Sequence, residues 1–136
     1  HVDFMFVGAG AAAEHIKAGR LKALAVVDEK PFGDVPPITQ DLPTLEKYLP
    51  WGPFYGVFVK RDVPDAVKAR LTAAFKKAGD DPKFRELMAS RGNVMMNISG
   101  AEADAFLKKW QSVTSWTYQE VGAAKKNPAE LGIPKP

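Results

Sequence analysis

Hydrophobic and polar positions along the chain fall into two contrasting regimes. Residues 2–7 (VDFMFV) and 21–27 (LKALAVV) are near-continuous apolar runs with strand composition, and a short alanine-rich segment, residues 10–18, lies between them and stops at Gly19. Two buried-looking strands joined through a helix predict a βαβ unit with a right-handed crossover, a parallel pair and both sheet faces covered. Residues 54–60 (FYGVFVK) return to a strand pattern, and 93–98 (NVMMNI) form another short strand-like run.

The second regime is helical. Between 64 and 78, Val67, Leu71, Ala74, Phe75 and Ala78 recur at helical spacing on one face. Asp81 then stands as N-cap to a helix with Pro82 at its first position and Phe84, Leu87 and Met88 on its apolar side, ending at Gly92. Ser99 and Glu102 have capping-box spacing before the longest predicted helix, whose stripe is Ala103, Phe106, Leu107, Trp110, Val113, Thr117 and Val121 and whose stop is Gly122. The final KKNPAELGIPKP reads as a tail strapped down by Leu131 and Ile133. Between the two regimes, residues 31–53 hold more than half of the chain's eleven prolines. Each removes a backbone donor and restricts its predecessor. The segment is therefore an ordered, irregular connection, with one helical turn expected at Thr44–Leu49. The order is an α/β one: βαβ unit, irregular crossing, strand, helical run.

Composition narrows the function classes. The 136 residues, 46% hydrophobic and 26% charged, suit one domain with a core of its own, and no apolar run approaches the roughly 18 residues that would span a bilayer. An abrupt start at His1 on the edge of a strand-like run is read as that of a processed chain or a fragment. Cysteine is absent and only two histidines are present, without metal-ligand spacing, so thiol chemistry and a transition-metal site are not expected. The net charge of +3 is dispersed in pairs such as Lys76-Lys77 and Lys108-Lys109 among acids, which does not make a nucleic-acid stripe.

One short motif carries chemistry. Gly8, Gly10 and Ala13 have G-x-G-x-x-A spacing, with Asp28 some 20 residues after Gly8, the nominal pattern of a dinucleotide-binding turn. Only about nine residues of helix follow before Gly19, however, and after Asp28 the β/α alternation gives way to prolines. The more general property is a glycine-rich helix start whose backbone N–H groups and dipole favour an anion. No nucleophile elbow, placed histidine base or paired-carboxylate site accompanies it. Trp51, Phe54 and Tyr55 fall where the irregular connection becomes a strand, either as a cleft wall or as anchors on the core.

Taken together, HVDFMFVGAGAAAEHIKAGRLKALAV, DVPPITQDLP, WGPFYGVFVKRDVPDAVKARLTAAF, DPKFRELMASRG and the Trp-containing final helix resemble the C-terminal half of a Bug-type receptor. Receptors of this kind are the solute-binding component of tripartite tricarboxylate transporters. HIKAGRLKALAV and FVKRDVPDAVKARL are the most telling pieces. The longer, proline-rich DVPPITQDLPTLEKYLPWGPFYG departs from the family pattern. The resemblance implies part of a two-lobed, type II-like periplasmic binding protein. Residues 1–30 would belong to the second lobe, 31–53 would be the inter-lobe connection, and 54–136 would complete the first lobe. It further implies a non-enzymatic, periplasmic receptor without cofactor, closing on a small carboxylate and serving membrane permease subunits, with the N-terminal half of the receptor contributing to the site. Val7, Gly8, Ala9, Gly10 and Ala11 would hold the carboxylate, with Trp51 and Phe54 at the cleft wall. The alternatives are a nucleotide-binding enzyme fragment that uses the same turn, and a helical interaction domain.

Overall fold

The computed structural model describes residues 2–136. Four α-helices dominate: α1 (Ala9–Lys17), α2 (Asp65–Asp80), α3 (Pro82–Ser90) and α4 (Ala101–Glu120). Short 3-10 helices cover Ile38–Gln40, Pro43–Tyr48 and Pro128–Leu131. The expected βαβ sheet does not form. Among the described residues the only β-type pairings are isolated bridges, Val26 with Pro37 and Phe32 with Val35. The α/β expectation, with a parallel pair and a crossing strand, is therefore corrected to a chiefly helical chain whose strand-like runs are extended but unladdered.

The reason lies in where the backbone groups go. Val26, in the second supposed strand, donates its N–H to the Pro36 carbonyl and accepts from Ile38 N–H, both at 2.8 Å. The proline-rich segment has taken the bonds that a neighbouring strand would have needed. Strand composition fits a run to a pleated sheet, but it does not supply a second strand. Residues 2–7 consequently lie extended with Phe6 71% exposed, and 57–59 do the same with Phe58 67% exposed.

The chain divides into two compact units. One comprises the chain up to Lys22 together with Val57–Ser99. Its helices have clear local causes. Asp81 accepts from Phe84 N–H at 3.0 Å, the predicted cap, and Pro82 occupies the first helical position, where its missing N–H costs nothing. Helices α1 and α3 close with the same Schellman pattern. Gly19 and Gly92, both left-handed, donate to Ile16 and Ala89, while Arg20 and Asn93 donate to His15 and Met88. The 93–98 run is fastened to the end of α2 by Asn97, whose side-chain amide donates to the Lys76 carbonyl at 3.2 Å and to Asp80 Oδ1 at 2.9 Å. Gly79 is buried beneath it, and a Cβ there would collide with the Asn97 amide. A glycine that weakens a helix interior by about 1 kcal/mol is thus explained by close packing.

The other unit, Ala23–Gly56 with Gly100–Pro136, holds the better-developed core. Leu49 and Val113 are each only 1% exposed, and Pro128 is likewise fully buried. Helix α4 begins at Ala101 after Gly100, whose left-handed φ of 58° sets the N-cap without any side-chain bond. The Ser99/Glu102 capping box therefore does not form: Ser99 lies one residue ahead of the N-cap. The tail is strapped as expected but by other atoms. Ser112 Oγ donates to the Pro134 carbonyl (2.7 Å) and the Trp116 indole N–H to the Ile133 carbonyl (3.1 Å), while Leu131 stays exposed. Asn127 caps the Pro128–Leu131 turn by accepting from Ala129 N–H at 3.0 Å.

Candidate functional site

Helix α1 begins where the glycine motif predicts. Gly8 is its N-cap, extended at φ −62° and ψ 136° and without a side-chain cap. Ala11 and Ala12 N–H both turn to the Gly8 carbonyl, at 3.0 and 3.2 Å. That leaves the N–H groups of Gly8, Ala9 and Gly10 with no acceptor among the described residues. They are the first-turn donors that every helix start exposes, and no acidic residue occupies the turn to compete for them. An anion placed there would meet backbone donors and the positive end of a nine-residue helix.

The glycines divide the labour unequally. A Cβ on Gly8 would meet nothing within 4 Å, whereas one on Gly10 would run into the Arg91 carbonyl. Conversely, a Cβ on Gly92 would stand 2.7 Å from Gly10 N and 3.0 Å from the Ala9 carbonyl carbon. The absence of a side chain at Gly10 is therefore already used by the chain itself. The turn after α3 seats the start of α1, and the free donors on the open side are chiefly those of Gly8 and Ala9. Val7, just ahead, is exposed, and Ala12 is the buried residue that holds the helix down.

Asp28, the acid at ribose-binding distance in the dinucleotide pattern, is committed elsewhere. Its Oδ1 accepts from Glu29 N–H at 2.6 Å and from Lys30 N–H at 3.4 Å, an Asx-type turn. His15 is likewise occupied: its Nδ1 accepts from Arg20 Nε at 3.1 Å at the end of α1. Among the described residues no cluster of three or more His, Asp or Glu could hold a metal.

Trp51 and Phe54 belong to the other unit, so the sequence-derived site residues are split between the two. Phe54 packs edge-on against Phe106 and Trp110, with ring centroids 5.4 and 5.1 Å apart. Trp110 in turn donates its indole N–H to the Gly52 carbonyl at 3.0 Å. These contacts seat the proline-rich connection on α4, and such aromatic pairs add about 0.5–1.5 kcal/mol each beyond area burial. Trp51 is the ring left available, 51% exposed. At the far end of the same connection the Tyr48 hydroxyl donates to Glu120 at 2.6 Å. Lys47, over the Tyr48 ring at 4.5 Å, has its ammonium held above the ordinary lysine value, first by Tyr48 and then by Glu120. The Lys109–Glu29 pair at 3.2 Å ties the 28–30 turn to α4. Sequence reasoning missed this polar seam. Tyr48 and Glu120 carry no local signal that they meet.

The sequence profile described as tripartite tricarboxylate transporter family receptor matches residues 1–116. The chain belongs to that family. It is also similar to a UPF0065 protein of Bordetella pertussis (strain Tohama I), 26% identical over 121 residues, which is 89% of this chain and 38% of that protein. The chain thus spans well under half the length of this curated relative. No solved structure matches it. None of its helices is long and apolar enough to cross a membrane, among the described residues.

Proposed function

We propose that the chain is part of a periplasmic solute receptor that captures a small organic carboxylate and presents it to the membrane permease subunits of a tripartite tricarboxylate transporter. The observation that carries this reading is the family match over residues 1–116. The role is capture and release, not catalysis, and uses no cofactor. The carboxylate is held by backbone N–H groups at the start of α1, within Val7–Ala11. The remainder of the receptor, which the longer relative carries, supplies the other contacts. Binding of the anion biases the receptor towards its closed arrangement.

A backbone-only site is tested by removing one donor without disturbing the fold. Ala9 is the first residue of α1, and Gly8 already holds the extended angles that a following proline requires. Ala9→Pro therefore deletes one N–H and little else. A charge-assisted hydrogen bond contributes about 1.5–3 kcal/mol, so dicarboxylate affinity of the receptor should fall about 10- to 100-fold. Unchanged affinity would remove the α1 start from the site. Saturable binding of NAD would overturn the receptor reading in favour of a nucleotide-binding one.

A further inference from the structure

Charge is divided unequally between the two units. The unit comprising the chain up to Lys22 with Val57–Ser99 has twelve Lys and Arg against seven Asp and Glu, a net +5; the other has seven against nine, a net −2; together these make the chain's 19 cations and 16 anions. Within the basic unit, one side of α2 carries part of this excess. Its apolar stripe runs through Val67, Leu71 and Phe75, and on the side turned away from that stripe Ala66, Ala69 and Ala73 stand among Arg70, Lys76 and Lys77, all six exposed. The acids at the two ends of α2 are already engaged: Asp65 accepts from Lys68 Nζ at 3.2 Å, and Asp80 Oδ1 accepts from Arg85 Nη2 and from the Asn97 amide, both at 2.9 Å. Asp81, the next residue, caps α3 through Phe84 N–H. Arg70, Lys76 and Lys77 take part in no ion pair among the described residues. Ala73, Lys76 and Lys77 also line, with Asp80 and Asp81, an open concavity at the end of α2. A face whose cations are free and whose carboxylates are spent is complementary to an acidic surface. A lipid-binding face would set large apolar side chains among the cations; here alanines fill those positions, which suits a folded protein partner.

We propose that the Arg70, Lys76 and Lys77 face of α2 is the surface through which the receptor docks on an acidic protein partner, the extracytoplasmic loops of the permease subunits. The charge rule of membrane proteins points to that partner. Lys and Arg are concentrated in their cytoplasmic loops, which leaves the outer side of a permease poor in cations and receptive to a basic face. The alanines between the three cations keep the surface low, so an opposing loop can approach while the long basic side chains reach its carboxylates. This inference rests on the reading of the chain as part of a receptor, but not on the ligand or on the start of α1.

The test titrates the chain onto the membrane subunits of the tripartite tricarboxylate transporter from the same organism, held in phosphatidylcholine nanodiscs, at low and at high salt. Binding should weaken about 10-fold or more as salt screens the contact. Arg70→Glu, Lys76→Glu and Lys77→Glu combined should weaken it at low salt by about 10-fold or more. The milder combination Arg70→Gln, Lys76→Gln and Lys77→Gln, which keeps good helix formers in place, should weaken it in the same direction with the circular dichroism of the parent. Lys76→Arg with Lys77→Arg should bind as the parent does, and so should Lys108→Glu with Lys126→Glu in the other unit. Binding that ignores salt, or that survives both α2 combinations unchanged, would overturn the proposal and leave the receptor reading standing. An equal loss from Lys108→Glu with Lys126→Glu would also overturn it, by reducing the effect to net charge. Equal binding to protein-free nanodiscs containing phosphatidylglycerol would overturn it by giving the face to anionic lipid. A parent chain that does not bind the subunits at all would remove both this inference and the receptor reading.

Discussion

Gly92→Ala probes how the start of α1 is held. Gly92 follows α3 in a Schellman turn at φ 73°, and Gly19 follows α1 in the same turn at φ 68° with the same pair of backbone bonds. The left-handed conformation costs an alanine about 1–2 kcal/mol at either position. The difference between them is steric. Around Gly19 a Cβ meets nothing within 4 Å, while at Gly92 it stands 2.7 Å from Gly10 N and 3.0 Å from the Ala9 carbonyl carbon. Both obstacles are backbone, so relief requires shifting the α1 start or the α3 turn, and overpacking of this kind adds about 1–3 kcal/mol. Gly19→Ala should thus destabilise by about 1–2 kcal/mol and Gly92→Ala by about 2–5. Urea unfolding followed by circular dichroism, with hydrogen exchange of α1 amides as the local readout, separates the two. Equal losses for the pair would refute the claim that the α3 turn seats the α1 start.

Further outcomes follow from the other unit. Val113→Ala removes two buried methyl groups at 1% exposure and should lower stability by about 2–3 kcal/mol in chemical unfolding. Trp110→Phe keeps an aromatic ring against Phe54 but leaves the Gly52 carbonyl without its indole donor. The cost should be about 0.5–1.5 kcal/mol, accompanied by loosening of the 50–54 backbone in hydrogen exchange. The raised Lys47 value gives a pH signature. A lysine stabilised as the cation in the folded state contributes stability that is fully present below its ordinary value of 10.5 and is lost as pH rises through the raised one. Lys47→Met should therefore differ from the parent at pH 8, and that difference should shrink above pH 10.5; a difference that grows with pH would have the wrong sign.

Much of the helical architecture was legible because helices announce themselves locally. Asp81 three residues before Phe84, Pro82 at the first position and Gly92 at the end of α3 are all read within one turn of chain, and all three do what their positions imply. The capping box at Ser99 misled because Gly100, at positive φ, takes the cap position itself. The strand-like runs misled for a deeper reason. Apolar composition in 2–7 and 21–27 speaks to what a strand would bury, but pairing depends on a partner, and Val26 finds its partners in the proline-rich segment. The glycine motif was visible at once, yet the reason Gly10 must lack a side chain depends on Arg91, a residue distant in sequence that no local window contains. Phe54 was ambiguous between cleft and core, and its packing on Phe106 and Trp110 depends on α4 in the same way.

The most direct test of the receptor account is calorimetric titration with a panel of dicarboxylic acids. It is run on the chain alone, on the chain joined to the unmatched part of the Bordetella relative, and on the joined protein carrying Ala9→Pro. The account predicts no saturable heat from the chain alone at millimolar ligand, saturable binding by the joined protein, and about 10- to 100-fold weaker binding once the Ala9 N–H is removed. Saturable binding by the chain alone, or equal affinity with and without that N–H, would contradict it.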